Sequence, residues 1–126
     1  KQFINVMEEL VLTEAISRVA EIEASSNSTL DLGDIAAYAL NRLPPLYATT
    51  EEGAAFQRDN AKTELSMLIA DQVKEAIARS LNQPEFYPER HTLGKQQAGE
   101  SVLGQVSELL QDYAHKFTPE TQGAPQ

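Results

Sequence analysis

The stretch DIAAYALNRLPPLYATTEEG, residues 34 to 53, decides the expected fold, because it ends one helix and begins another. Apolar residues recur at helical spacing in its first half, and Asp31 or Asp34 can cap that helix. Pro44 and Pro45 then stop the helix, since proline lacks the backbone donor and restricts the residue before it. The apolar face expected for this short second helix consists of Ile35, Ala36, Ala39, Leu40 and Leu43.

Three longer helices are expected around this segment. The first covers about residues 2 to 24, and the last covers about residues 100 to 116. The third begins where Thr49 and Glu52 fit a capping box, and it continues to about Leu81. Residues expected to be buried include Phe3, Val11 and Val19 in the first helix, Leu65, Leu68, Val73 and Leu81 in the third, and Val102, Leu103, Val106, Leu109, Leu110 and Tyr113 in the last.

No alternating strand pattern appears, so the sequence predicts an all-α fold, a small domain of antiparallel helices. Residues 1–117 are expected to form this single domain, and residues 118–126 a disordered tail. The long connection over residues 82–99 is a candidate moving or contacting element. It contains Arg90, His91 and Lys95.

Composition excludes several classes of protein. The chain has 126 residues, a formal charge of −9, no Cys and two His. The lack of Cys excludes disulfides, thiolate metal sites and cysteine nucleophiles. We therefore expect no metal and no cofactor. The acidic charge argues against binding long DNA or RNA. No apolar run is long enough to span a bilayer, and no signal peptide precedes the first helix, so we expect a cytoplasmic protein.

The third helix carries a wide apolar stripe that few other helices of one monomer can cover. A second copy would bury the remainder, and two-fold dimers are the commonest oligomers. We therefore expect a two-fold homodimer, with a self-sufficient monomeric bundle as the alternative.

No residue pattern supports an enzyme. Neither standard glycine-rich phosphate loop occurs, and neither His91 nor His115 has triad spacing to a serine or a carboxylate. The acidic helix faces are typical of solvated surface. We expect a protein without enzymatic activity.

A polar stripe is expected on the first helix. Lys1, Asn5, Glu8 and Glu9 lie at neighbouring helical positions, opposite the apolar face. The simplest interpretation of these four residues is a helix face that is exposed to solvent. The same set can also read the edge of a nucleobase, because a carboxylate accepts from the N–H groups of guanine and an amide both donates and accepts.

The diproline turn places Arg42 before it and Tyr47 after it. The arginine can complement the dipole of the helix end, and the tyrosine can pack as a hydrophobic plug. Alternatively, the rigid turn presents a cation for phosphate and an aromatic ring for a base, with little entropy left to lose on binding.

Two stretches together resemble the late competence development protein ComFB family of bacteria. They are NVMEELV at residues 5–11 and DIAAYALNRLPPLYATTEEG at residues 34–53. A weaker likeness follows in the third helix, so the resemblance covers roughly residues 3–84. Many members carry a cysteine cluster before the second helix. Here SSNSTLDLG at residues 25–33 has none, so no metal or redox role of those cysteines carries over.

The resemblance implies an all-helical homodimer that binds a bacterial cyclic dinucleotide, cyclic di-GMP or in some members cyclic di-AMP. By this resemblance, the candidate ligand-binding residues are Asn5, Glu9, Arg42, Tyr47 and Thr50. Lys1 and Glu8 join these candidate ligand-binding residues on the geometry of the stripe alone.

We therefore expect a second-messenger receptor that signals through a protein partner, such as a transcription regulator. The acidic pair beside Asn5 favours cyclic di-GMP, because the Watson–Crick edge of guanine carries N–H donors. The alternative is a structural module for dimerisation and partner docking that binds no small molecule.

Overall fold

A computed structural model describes residues 1–82 and 101–117, with side chains through Asp112. Within these residues the chain is mostly helical, which confirms the helical class. In chain order the elements are β1 (Ile4–Asn5), α1 (Val6–Ser25), α2 (Leu32–Leu40), β2 (Tyr47–Ala48), α3 (Glu51–Glu64), α4 (Ser66–Asn82) and α5 (Val102–Phe117). The expectations for the connection after Asn82 and for the tail at residues 118–126 lie outside the described residues.

Helices α1, α2 and α4 pack against one another and bury a shared apolar core. Helix α3 packs beside β2 and α1, and α5 lies on α1. Burial of these apolar faces is the main term that holds the helices together, since helices in globular proteins owe most of their stability to packing of an apolar face. The largest fully buried side chains are Val6, Met7, Val11, Val19, Leu32, Ile35 and Val73.

The N-terminus differs from its predicted form. Helix α1 begins at Val6, and the preceding β1 pairs antiparallel with β2 in the register Ile4 to Ala48 and Asn5 to Tyr47. The expectation of no strands is therefore wrong. Two-residue strands are too short to leave an alternating pattern.

Phe3 was expected in the buried stripe of the first helix, and it lies outside that helix with 66% of its surface exposed. That expectation is also wrong, because the chain before Val6 is extended and does not continue the helical stripe.

Helix α2 follows its predicted form. The Asp31 side chain accepts from the backbone N–H of Asp34 at 3.0 Å, which is the expected N-cap. The helix ends at Leu40, and Asn41 forms the C-cap before the two prolines. Local rules are sufficient here, because capping and proline act over three or four residues.

The long third helix is two helices. The backbone leaves helical angles at Leu65, with φ −122° and ψ 1°, and α4 starts one residue later. Neither glycine nor proline marks this break. It lets α3 pack on β2 while α4 packs on α2, which is a tertiary effect. Within this stretch Leu68 and Leu81 are exposed by 39% and 46%, so the expectation that both are buried is wrong.

The predicted cap of α3 is displaced by one residue. The side chain of Thr50, and not that of Thr49, accepts from the backbone N–H of Gly53 at 2.9 Å. The preceding residues pair in β2, so the first helical residue is Glu51.

Helix α5 is attached to the rest of the domain by side-chain contacts to backbone. Gln105 accepts from the Leu32 N–H and donates to the Leu30 carbonyl, both at 2.6 Å. The Glu23 carboxylate accepts from the Val102 N–H at 3.1 Å, which satisfies a donor at the start of the helix.

The predicted inward face of α5 is confirmed only in part. Val102 is buried, and Val106 and Leu109 pack partly against the core. Leu103 and Leu110 are exposed by 79% and 62%, so their expected burial is wrong. Helix α5 makes its main helix contact with α1, so one narrow stripe suffices to dock it. The side chain of Tyr113 lies outside the described residues.

Among the described residues, no helix combines the length and the apolar character needed to cross a bilayer.

Candidate functional site

The diproline turn is pinned to the start of α1. The Asn5 side-chain oxygen accepts from the Met7 N–H at 3.1 Å, as an N-cap, and from the Leu46 N–H at 2.7 Å. The Val6 N–H donates to the Leu46 carbonyl at 2.8 Å. Leu43 and Leu46, on either side of the prolines, are buried. The turn is thus fixed by one asparagine and two leucines, with little freedom left to lose on binding.

Arg42, at the end of α2, lies over a tyrosine ring. Its guanidinium carbon is 3.6 Å from the centre of the Tyr38 ring, and its Nη1 donates to the Tyr38 carbonyl at 3.0 Å. Arg79 of α4 approaches the same ring at 5.0 Å. Both are cation–π contacts, which keep a guanidinium in place without a carboxylate.

The Tyr38 hydroxyl donates to the Glu75 carboxylate at 2.8 Å. This hydrogen bond raises the pKa of Tyr38, because it favours the protonated phenol, and desolvation acts in the same direction. The charges of Arg42 and Arg79 oppose the shift. Together these four side chains form a cluster, called here the Tyr38 cluster, on one face of α2 and α4.

Tyr47 extends from β2 with 56% of its surface exposed. The ring of Phe3 meets it edge-on, with centroids 5.7 Å apart and planes at 81°. Because Phe3 is exposed as well, the pair forms an aromatic surface on the two-stranded sheet. An exposed ring on fixed backbone can stack on a base or on an apolar side chain.

Glu9 forms an ion pair with Arg58 of α3. The two contacts are 2.7 Å and 3.3 Å, and both side chains are about two-thirds buried. The pair borders a groove of about 310 Å³ between α1 and the junction of α3 and α4. Thr13, Lys62 and Ser66 also line it. The groove therefore combines carboxylate, ammonium and hydroxyl groups at one opening.

The remaining candidates lie apart from this groove. Lys1 is exposed ahead of β1, outside α1, so the predicted helical stripe joining it to Asn5 and Glu8 is wrong. The helix starts too late to include Lys1 or Asn5 in its turns. Glu8, in the first turn of α1, is half-buried. Thr50 uses its hydroxyl oxygen as the cap of α3. Whether these residues contact a ligand stays a prediction.

The structure thus separates the candidates into four places. Asn5 fixes the turn, Tyr47 extends from β2, and Glu9 borders the groove, whereas Arg42 belongs to the Tyr38 cluster. Sequence reasoning missed four further side chains, although one was within reach: Tyr38 precedes Arg42 by four residues, a spacing of about one helical turn. The other three are Arg58, Glu75 and Arg79.

The part of the chain that the structure describes holds no group of three or more His, Asp or Glu side chains placed to bind a metal ion.

Fold and turn define the class: a small helical domain whose pinned diproline turn exposes an arginine and a tyrosine. The chain belongs to the late competence development protein ComFB family, whose family model matches residues 4–84. The match ends before α5. The curated proteins searched contain no match to this chain.

Proposed function

We propose that the protein is a non-enzymatic receptor for a bacterial cyclic dinucleotide and acts as a two-fold homodimer. One observation carries the proposal: the pinned turn leaves both Arg42 and Tyr47 exposed on backbone that is already fixed. Membership of the ComFB family supports it, since the arginine, the two prolines and the tyrosine all lie inside the matched residues.

The chemistry of the exposed groups suits this class of ligand. A cyclic dinucleotide presents two phosphodiesters and two bases. A guanidinium is the best protein group for a phosphate, and an aromatic ring stacks on any base. Because the protein carries a charge of −9, an anionic ligand must bind at a local group of cations, and Arg42 is the first candidate.

Cyclic di-GMP is favoured over cyclic di-AMP. A carboxylate has about four acceptor positions, and Arg58 occupies two of those on Glu9. The remaining positions can accept from the N–H groups of guanine, whereas the Watson–Crick edge of adenine offers a ring acceptor beside its amino group. Glu8 adjoins Glu9 in the chain and Asn5 lies four residues before it; with Lys1 and Thr50 they complete the proposed ligand-binding residues.

The homodimer follows from symmetry. A cyclic dinucleotide has a two-fold axis, so a two-fold dimer can offer it each recognition group twice. Ligand binding would then alter a surface that a protein partner recognises, such as that of a transcription regulator, provided that the two states of this surface differ in ligand affinity. We propose that this signalling takes place in the cytoplasm and that the protein binds neither a membrane nor long nucleic acid.

Calorimetry of the full chain with cyclic di-GMP and cyclic di-AMP tests the proposal. The linear dinucleotide and GTP serve as control ligands. We expect the cyclic di-GMP titration to give heat and to raise the melting temperature. No heat and no shift at millimolar ligand would overturn the proposal.

A structural module for dimerisation and partner docking is the second candidate. The observation that favours it is the exposure of Phe56 and Met67, at 68% and 79%, on consecutive helices. It predicts that Arg42→Ala and Tyr47→Ala lower stability or dimerisation and that no ligand response exists to be lost. A variant that dimerises normally and no longer binds cyclic di-GMP would refute it.

A further inference from the structure

The described arginines fall into two kinds. Arg18 and Arg58 each form an ion pair with a carboxylate, of Glu14 and Glu9 respectively. Among the described residues, neither Arg42 nor Arg79 has a carboxylate within ion-pair distance, and both contact the ring of Tyr38 instead. In a chain as acidic as this one, two arginines on one face that have no acidic partner among the described residues call for an explanation.

The Tyr38 cluster is built from two pairs of residues, one at the end of α2 and one on α4. Arg42 lies two residues beyond the last residue of α2 and donates back to the Tyr38 carbonyl, whereas Glu75 and Arg79 are four residues apart on α4 and share a face. The bond from the Tyr38 hydroxyl to Glu75 joins the helices at one level. The two guanidinium groups lie within 5.0 Å of the ring centre.

The contact with the ring leaves hydrogen-bond donors available. A guanidinium carries five N–H donors, and its attraction to an aromatic ring requires no hydrogen bond from them. Arg42 uses one of its nitrogens on the Tyr38 carbonyl. Both arginine side chains are exposed to solvent, so the remaining donors can reach an external acceptor.

The electrostatics of the cluster favour an anion. Two positive charges beside one ring repel each other, and the one carboxylate among the four side chains, on Glu75, is engaged by the tyrosine hydroxyl. An anion placed between the guanidinium groups removes this repulsion and accepts charge-assisted hydrogen bonds from both. A phosphate group has the oxygens needed to do so.

We propose that Arg42 and Arg79, positioned by the Tyr38 ring, form the phosphodiester-binding subsite of the receptor, an inference that rests on the function proposed above. Arg79 is thereby assigned to ligand binding, and Tyr38 is a positioning residue that sets the distance between the two cations. The subsite spans α2 and α4, so a phosphate bound there bridges the ends of the two helices that form the core with α1.

The test is calorimetry of the full chain with cyclic di-GMP at several salt concentrations. We expect Arg79→Gln to weaken binding about tenfold or more, as the loss of a charge-assisted hydrogen bond does. Arg79→Lys should recover part of the affinity, because it restores the charge without the planar fork. Arg18→Gln is the matched control, since that arginine is paired with Glu14, and it should bind within about twofold of the original chain.

A second readout separates binding from stability. The salt dependence of the affinity should fall in Arg79→Gln and stay unchanged in Arg18→Gln, because screening acts on the lost contact with the phosphate.

Tyr38→Leu should weaken binding, whereas Tyr38→Phe keeps the ring and should bind nearly as well as the original chain.

The outcomes distinguish the two proposals. If the original chain binds cyclic di-GMP and Arg79→Gln binds equally well with the same salt dependence, the subsite is refuted and the receptor function stands. If the original chain binds no cyclic dinucleotide, the receptor function fails and the subsite fails with it.

Discussion

The exchange of Asn5 for alanine should destabilise the fold, because this side chain joins the turn to the start of α1. Its side-chain oxygen accepts two backbone N–H groups, from Met7 in α1 and from Leu46 after the prolines. Loss of an N-cap costs about 1 kcal/mol, and a backbone donor left without a partner costs about 1 to 3 kcal/mol. We therefore expect the free energy of unfolding to fall by about 2 to 4 kcal/mol.

Urea denaturation at one fixed protein concentration measures this loss. If the free energy of unfolding falls by about 1.5 kcal/mol per M of urea, the urea concentration at half-unfolding should fall by about 1.3 to 2.7 M. The slope itself should stay constant. Asn5→Asp is the informative companion, because aspartate retains the acceptor oxygens and suits a helix N-terminus. It should lose less than about 1 kcal/mol.

The matched control is Asn41→Ala, which removes an exposed asparagine near the turn and should change stability by less than about 0.5 kcal/mol. If Asn5→Ala costs no more than this control, the asparagine does not pin the turn. The backbone that carries Arg42 and Tyr47 would then not be fixed by this side chain.

Four further predictions concern other contacts. Thr50→Ala should cost about 1 kcal/mol in a thermal melt, as a lost helix cap does, whereas Thr50→Ser should not. A double-mutant cycle between Glu9 and Arg58 should give a coupling below about 1 kcal/mol, because solvent screens this partly exposed pair; a larger value would mean a drier groove. Gln105→Ala should increase hydrogen exchange in α5 and at the Leu32 N–H, and leave exchange in the rest of α2 slow. Folding raises the pKa of Tyr38, so the stability that this shift contributes should be constant below its ordinary value of 10.0 and decline above it, and Tyr38→Phe should remove that decline.

Much of the fold was within reach of the sequence, and the misses have physical causes. Helix α2 was predicted with its cap at Asp31 and its end before the prolines, because those signals act between neighbours. The break at Leu65 was missed, since it carries no glycine or proline and depends on which elements α3 and α4 pack against. The strand pair was missed because two residues cannot show an alternating pattern.

The candidate site was predicted in part. Arg42 and Tyr47 were singled out from the diproline turn, and both are exposed as a binding role requires. The structural task of Asn5 was not foreseen, because its second donor, Leu46, lies 41 residues away in the chain. A contact between residues so far apart in the chain cannot be predicted from local sequence, because it forms only when the two segments come together in the fold.

The sequence by itself determined the helical class, the family and the rigid turn, because helical periodicity, capping and proline geometry are properties of short stretches. Only the tertiary structure decided the partners of the charged groups. Glu9 could have met any cation, and packing of α1 against α3 selected Arg58. Packing of α2 against α4 placed Arg79 beside the tyrosine ring that Arg42 covers. For a charged residue whose partner lies on another helix, the local sequence does not indicate that partner, since the interaction depends on distance in space.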